Sequence, residues 1–266
     1  MNPTLLNALA ADLQQAERPL FLTGAGISVA SGIAPFRGSA DAVWSKTVMT
    51  MGTRWMFLKD PVQQWSFYLA RFDACREAQP NPAHHAITQL QAWKAGEAGA
   101  LRLVTQNIDG LHVLARTHDV IEVHGAARRL RCSREGCDHG APFGSLARED
   151  ALFDAFRAAP GIDTLPRCPA CAALLRAHVL WFDESYNEHA EYRFREAATL
   201  CQEADLVVFI GTSFSVGITE LASTAAAESG AKVWTLDPHS APFDGGGRWL
   251  QAPSEVALPA LVGALA

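Results

Sequence analysis

The chain has 266 residues, 49% of them hydrophobic and 19% charged, a balance typical of globular enzymes that excludes a disordered or low-complexity polypeptide. At this length one large domain, or a main domain carrying a smaller insert, can bury a sizeable core. The formal net charge of −6 disfavours a nucleic-acid partner, no apolar run reaches the roughly 18 residues of a membrane span, and the N-terminal Met1-Asn2-Pro3-Thr4-Leu5 has no basic, apolar leader, so a cytoplasmic protein without a membrane partner is expected.

In chain order, Leu5, Leu9 and Leu13 recur at a spacing of four and predict an amphipathic helix over 4–17. A short apolar run, 20–22, then leads into "TGAGISVASGIAPFRG" at 23–38. Helices are predicted over 61–77 and 83–94, and a second apolar run over 101–104 precedes Thr105-Gln106-Asn107-Ile108-Asp109. A third run, 120–123, ends at His124-Gly125 and is followed by the basic residues Arg128, Arg129, Arg131 and Arg134, which read as a solvated face or a local anion patch. After a helix over 188–203 comes the run 206–210 with Gly211-Thr212-Ser213, then a helix over 218–229, the run 233–236 with Asp237, and a last helix over 254–265. Short apolar runs, mostly separated by helix-length segments, predict an α/β fold with a buried parallel sheet and covering helices. Ligands of such sheets bind beyond the carboxyl ends of the strands, so the five polar clusters should converge on one crevice.

Gly24 and Gly26 would let backbone N–H groups approach a pyrophosphate at a helix N-terminus. The spacing departs from the dinucleotide fingerprint, because Gly32 follows Gly26 by six residues instead of three; a nucleotide loop and a plain tight turn both remain open. Asp237 fits either a ribose contact or a turn cap. Between 132 and 171, "CSREGC" and "CPAC" supply Cys132, Cys137, Cys168 and Cys171. Two such pairs in a chain expected to be cytoplasmic favour tetrahedral thiolate zinc over disulfides, and four sulfurs leave no open position, so the metal would be structural. The competing reading is one redox pair with two unrelated thiols. Cys75 and Cys201 read as core thiols.

Taken together, "GAGISVASGIAPFRG", "TQNIDGLH" at 105–112, "EVHG" at 122–125, the cysteine pairs, "HVLWFDE" at 178–184, "GTS" at 211–213 and "GAKVWTLD" at 230–237 resemble the sirtuins, NAD-dependent protein deacylases. The resemblance implies a Rossmann-like NAD-binding domain made of 1–38, 80–131 and 179–266, and a small domain made of a helical insert, 39–79, and a zinc ribbon, 132–178. NAD and an acyl-lysine protein substrate would meet in the cleft between them. Gly24, Ala25, Gly26, Ile27, Ser28, Phe36 and Arg37 would line the NAD pocket with Gln106, Asn107, Ile108 and Asp109. Gly211, Thr212, Ser213 and Asp237 would hold the diphosphate and adenosine side. His124 matches the catalytic base, with Asn107 and Asp109 positioning ribose and water. Val179, Phe182 and Glu184 fall in the segment that pairs with the substrate. His84, His112, His118 and His178 are left structural.

The chemistry suits these residue types. Nicotinamide departs from NAD as a neutral molecule, so the enzyme must hold the ribose and admit a nucleophile. A histidine with an ordinary pKa of about 6.5 suits proton transfer from a hydroxyl. The sequence departs from the family pattern at Pro35, where an aspartate commonly contacts the nicotinamide carboxamide, at Asp183, where glycine is usual, and after Ser213. Residues 39–46 contain no tyrosine or arginine to grip an acidic acyl group, so neutral acyl-lysines are the expected substrates. Two alternatives remain at this stage: an NAD glycohydrolase or ADP-ribosyltransferase using the same pocket, and a catalytically idle NAD-sensing module.

Overall fold

The computed structural model describes residues 1–34, 46–97, 99–212, 214, 217–239 and 247–265, with the backbone alone at 46. Nine strands are described: β1 (Pro19–Thr23), β2 (Arg102–Thr105), β3 (Val120–Glu122), β4 (Gly125–Cys132), β5 (Leu146–Ala147), β6 (Leu175–Val179), β7 (Leu206–Ile210), β8 (Lys232–Leu236) and β9 (Arg248–Leu250). Six of them form a parallel sheet in the order β3-β2-β1-β7-β8-β9. That is the doubly wound order, and the strand order reverses between β1 and β7.

The run of apolar residues in β1 and β7 is explained by burial on both faces, since every residue of each strand is buried. Alternate residues point to opposite sides. Phe21, Leu103, Val208 and Trp234 join Leu9, Leu13, Ile87 and Leu258 from the helices Pro3–Gln15, Pro82–Gly96 and Ser254–Leu265. On the other side Leu20, Leu22, Val104, Val207 and Phe209 meet Ala197, Cys201, Ile218 and Ala222 from the helices Phe194–Glu203 and Gly217–Ser229.

The helix expected over 188–203 begins only at Phe194. Upstream, Tyr186–Glu188 and Ala190–Tyr192 are single 3-10 turns, and Arg193 adopts φ 48°, which breaks the α-helical path. The Arg193 guanidinium sits 2.7 Å from both Asp119 and Glu196, tying this corner to the end of the 111–119 connection. The helices Lys46–Met51 and Arg54–Lys59 fall in the stretch expected as a helical insert, whereas the three-residue β9 was not anticipated.

A second sheet, antiparallel in the order β5-β4-β6, packs against the helix Pro61–Glu77. Its core includes Trp65, Phe72, Leu130, Phe153, Phe156 and Trp181, and the Trp65 indole donates to the Leu175 carbonyl at 2.9 Å. Residues 125–131, expected in the large domain, therefore belong to this sheet as β4. Two of their apolar members, Ala127 and Leu130, face the small core. The arginines nearby do not form a basic face: Arg128 pairs with Glu122, Arg129 with Glu191 and Arg131 with Glu184.

The two sheets meet at His124-Gly125, between the end of β3 and the start of β4. Gly125 has φ +81°, and a Cβ there would lie 2.2 Å from the His178 carbonyl oxygen on β6. Backbone strain and the contact act together, so Gly125→Ala should lower stability by roughly 2–4 kcal/mol, a shift that thermal unfolding detects readily. A thermal midpoint unchanged from wild type would show that β4 can move away from β6.

Candidate active site

The crevice at the β1/β7 reversal is built by close contact between two backbones. The N–H of Gly24 donates to the Ile210 carbonyl at 3.0 Å and that of Gly26 to the Gly211 carbonyl at 2.8 Å. A Cβ at Gly26 would lie 2.6 Å from the Gly211 Cα, and one at Gly211, φ +58°, would lie 2.5 Å from the Ile27 nitrogen. The sequence left a nucleotide loop and a plain tight turn open; in the structure the N–H groups of Gly24 and Gly26 are used within the fold, and the glycines allow the loops after β1 and β7 to touch.

Around that contact runs a connected set of polar side chains. The Asn107 amide donates to the Gly24 carbonyl and to Ser28 Oγ, both at 3.1 Å, and Ser28 Oγ donates to Asp109 at 2.8 Å. Asp109 also accepts the Leu111 N–H at 2.9 Å, while burial raises its pKa above the ordinary carboxylate value. Ala25 and the buried Ile27 lie on the 3-10 turn Ala25–Ser31, and the Asn81 amide braces that turn by donating to the Ile27 carbonyl at 2.8 Å. Asn81, the cap of the Pro82–Gly96 helix, was missed in the sequence although an Asn-Pro step before a helix is its usual signature. The Gln106 amide donates to Thr212 Oγ1 at 3.1 Å, crossing from the loop after β2 to the loop after β7. The Ile108 carbonyl accepts the Ala127 N–H at 2.8 Å. Asp237 behaves at least in part as a turn cap, accepting the His239 N–H at 2.7 Å. Pro35, Phe36, Arg37 and Ser213 lie outside the described residues, as do 39–45 and the Lys46 side chain, on which the reading of acyl choice rested.

His124 is half-buried at the junction of the two sheets. Its Nδ1 lies 2.9 Å from the Gln106 carbonyl oxygen, which can only accept, so Nδ1 carries the proton and Nε2 holds the lone pair. The Tyr186 hydroxyl lies 3.0 Å from Nε2 and donates to it. Desolvation lowers the His124 pKa to about 4, with the Gln106 carbonyl acting weakly the other way. The ring is thus a neutral base throughout the physiological range. In a long-range ¹H–¹⁵N spectrum of histidine-labelled protein, His124 should show the Nδ1–H tautomer and not titrate until the pH falls toward 4. A midpoint near the ordinary value of about 6.5 would contradict this environment.

In the segment expected to pair with substrate, the side chains differ in their surroundings. Val179 is buried and paired with Gly125 through the β4/β6 ladder, and the Leu180 N–H donates to the His124 carbonyl at 2.9 Å. Glu184 points inward. Burial alone would raise its pKa, but Arg176 and Arg131 hold it below the ordinary value, and it also accepts the Trp181 N–H at 3.1 Å. The Glu184 carboxylate therefore fastens β4 and β6 to the loop and does not line the cleft. Asp183 also has a structural task. Its carboxylate accepts the N–H groups of Arg54 and Trp55 at 2.7 and 3.1 Å, and the Phe182 N–H donates to the Gly52 carbonyl at 2.9 Å. Of Val179, Phe182 and Glu184, Phe182 has the exposed side chain.

The four cysteines converge as expected. Cys132 and Cys171 sulfurs lie 3.4 Å apart, Cys137 and Cys168 3.7 Å apart, and all four fall within 4.8 Å of one another. A disulfide would need about 2.05 Å, whereas tetrahedral thiolates at about 2.3 Å from zinc stand close to 3.8 Å apart. The Arg134 N–H donates to the Cys132 sulfur at 3.3 Å, which suits a thiolate. A second cluster, His178, His189 and Glu191, lacks a free donor set. His189 donates to the Gly144 carbonyl and accepts the Glu191 N–H, while Glu191 is shared with Arg129.

Residues 24–217 match the model of the Sir2 family. The chain is 37% identical over 232 residues to an NAD-dependent protein deacylase of Thermus thermophilus, covering 87% of this chain and 83% of that protein. It is 32% identical over 262 residues to the NAD-dependent deacetylase sir2E of Dictyostelium discoideum, covering 95% and 75%. Among solved structures, a Sir2 homologue variant in complex with ADP-ribose superposes with a TM-score of 0.81 at 29% identity, covering 100% of this chain and 96% of that one. A Sir2 homologue in complex with NAD gives 0.79 at 29% identity, covering 100% and 94%.

Proposed function

The chain belongs to the Sir2 family, and from that premise we propose that it is an NAD-dependent protein lysine deacylase that transfers the acyl group to ADP-ribose and releases nicotinamide. The observation that carries this reading is His124, a neutral base with its lone pair on Nε2, at the junction of the two sheets beside the crevice. NAD is consumed as a substrate. The acyl-lysine amide oxygen forms a bond to the ribose C1′ as the bond to nicotinamide breaks. His124 then receives the proton of a ribose hydroxyl, and that oxygen attacks the imidate carbon. Water completes release of the lysine and of O-acyl-ADP-ribose.

In this reading Ala25, Ile27, Gln106 and Ile108 line the nucleotide side, with Phe36, Arg37 and Ser213 added from the family pattern. Asn107 and Asp109 hold the ribose and water, supported by the chain of hydrogen bonds through Ser28. The loop made by Gly24, Gly26, Gly211 and Thr212 shapes the floor. Phe182 and the backbone of the segment from Val179 to Glu184 border the acyl-lysine. Zinc fits the four thiolates and would supply only structure, tying the two ends of the ribbon together. A cytoplasmic, reducing setting suits the six unpaired cysteines, and among the described residues no helix is long and apolar enough to cross a membrane.

The test is the mutual dependence of the two substrates. An acetyl-lysine peptide should lose its acetyl group only when NAD is present, with one nicotinamide released per acetyl removed. Nicotinamide release at the same rate without peptide would point to a glycohydrolase.

A further inference from the structure

The sequence analysis assigned no role to Tyr186, yet in the structure this residue holds the base. Its hydroxyl donates to His124 Nε2 at 3.0 Å. Its ring stacks on Phe194, with centroids 4.4 Å apart and planes inclined by 17°. A Cβ on Gly217 would meet the ring at 3.6 Å, so that side is also filled. His124 follows β3 and Gly217 opens the helix after β7, and two strands, β2 and β1, separate β3 from β7 in the sheet. The phenol therefore reaches across the carboxyl ends of the strands that frame the crevice.

This placement bears on the reaction. Imidazole Nε2 has one lone pair, and Tyr186 occupies it. The phenol is held by a stacked ring and by the histidine itself. A phenol hydroxyl that donates its proton to Nε2 can still accept one, so a substrate hydroxyl can donate to it. Burial raises the phenol pKa, so the group stays protonated and able to donate.

Resting on the deacylase reading, we propose that Tyr186 is a further catalytic residue, the relay through which the ribose hydroxyl proton reaches His124. The ribose O–H bond breaks as an O–H bond forms on Tyr186, while the original phenolic O–H bond breaks as an N–H bond forms on His124 Nε2. The phenol is neutral before and after the transfer. The ribose oxygen keeps the electron pair with which it attacks the imidate. Nicotinamide expulsion comes earlier and does not use the relay.

The two stages can be measured separately. Exchange of labelled nicotinamide into NAD, in the presence of acetyl-lysine peptide, reports the first; release of deacetylated peptide reports both. Tyr186→Phe keeps the ring on Phe194 and removes only the hydroxyl. It should lower kcat for deacylation about tenfold or more, while nicotinamide exchange and the KM for NAD stay within about twofold of wild type. Deacylation at or above the wild-type rate would overturn the proposal by showing that the phenol merely covers Nε2 and steps aside. An equal fall in both activities would overturn it by showing a structural role. If the phenylalanine variant fails to fold, fluorinated tyrosine at 186, which makes the phenol more acidic, tests the same point. The relay requires the deacylation rate to change with phenol acidity while exchange holds, and an unchanged rate would refute it. Wild-type protein that exchanges no nicotinamide would reject the deacylase reading itself.

Discussion

His124→Ala is expected to fold, to keep most of its NAD binding, and to lose deacylation turnover by roughly 10²-fold or more, the low end for removing a general base. Its fold should survive because the substitution frees only two hydrogen-bond partners, the Gln106 carbonyl and the Tyr186 hydroxyl. The loss should fall on kcat, because the ring acts on a hydroxyl already bound. Circular dichroism, NAD titration and steady-state kinetics on one preparation check all three statements. Deacylation within a few fold of wild type would remove His124 from the mechanism and leave the crevice without an assigned base.

Loss of the thiolate site should have an equally large effect by a different route. Structural zinc contributes apparent binding free energies of about 10–16 kcal/mol at neutral pH, more than the whole stability of most domains. Cys132 and Cys168 are also part of the apolar core that contains Trp65 and Trp181. Cys168→Ser, or strong chelation, should therefore unfold the β4/β5/β6 sheet and expose these two tryptophans, while Trp234 stays buried in the other core. Activity should disappear with it, because β4 starts immediately after His124 and the Leu180 N–H holds the His124 carbonyl. Fluorescence, metal analysis and activity followed together test this. Active protein that contains no zinc, with Cys132 and Cys137 open to alkylation, would refute it.

The parallel sheet was legible because strands buried on both faces must be apolar throughout, and β1 and β7 are. The convergence of the loops followed from the parallel order. The small sheet was harder to see. β4 reads Gly-Ala-Ala-Arg-Arg-Leu-Arg-Cys, and its arginines suggested a solvated face. Arg131 is in fact buried, and its charge is met by Glu184, fifty-three residues later. No local pattern reports such a pairing. The same holds for Asp183, whose charge looked misplaced until the helix Arg54–Lys59 supplied two N–H groups for it. Glu184 was placed with its segment beside the substrate, and the two arginines that hold its carboxylate were not visible as its neighbours. The glycines at 24 and 26 were identified correctly as sites of close approach, but the partner was Gly211. Tyr186 went unnoticed because its partner His124 arrives from the end of β3, and its neighbour Gly217 from the helix after β7.

The most direct measurement of the central claim is the mass of the nucleotide product formed from NAD and an acetyl-lysine peptide. The account predicts O-acetyl-ADP-ribose, in equal amounts with nicotinamide and deacetylated peptide. Free ADP-ribose with the peptide still acetylated, or peptide carrying ADP-ribose, would contradict it.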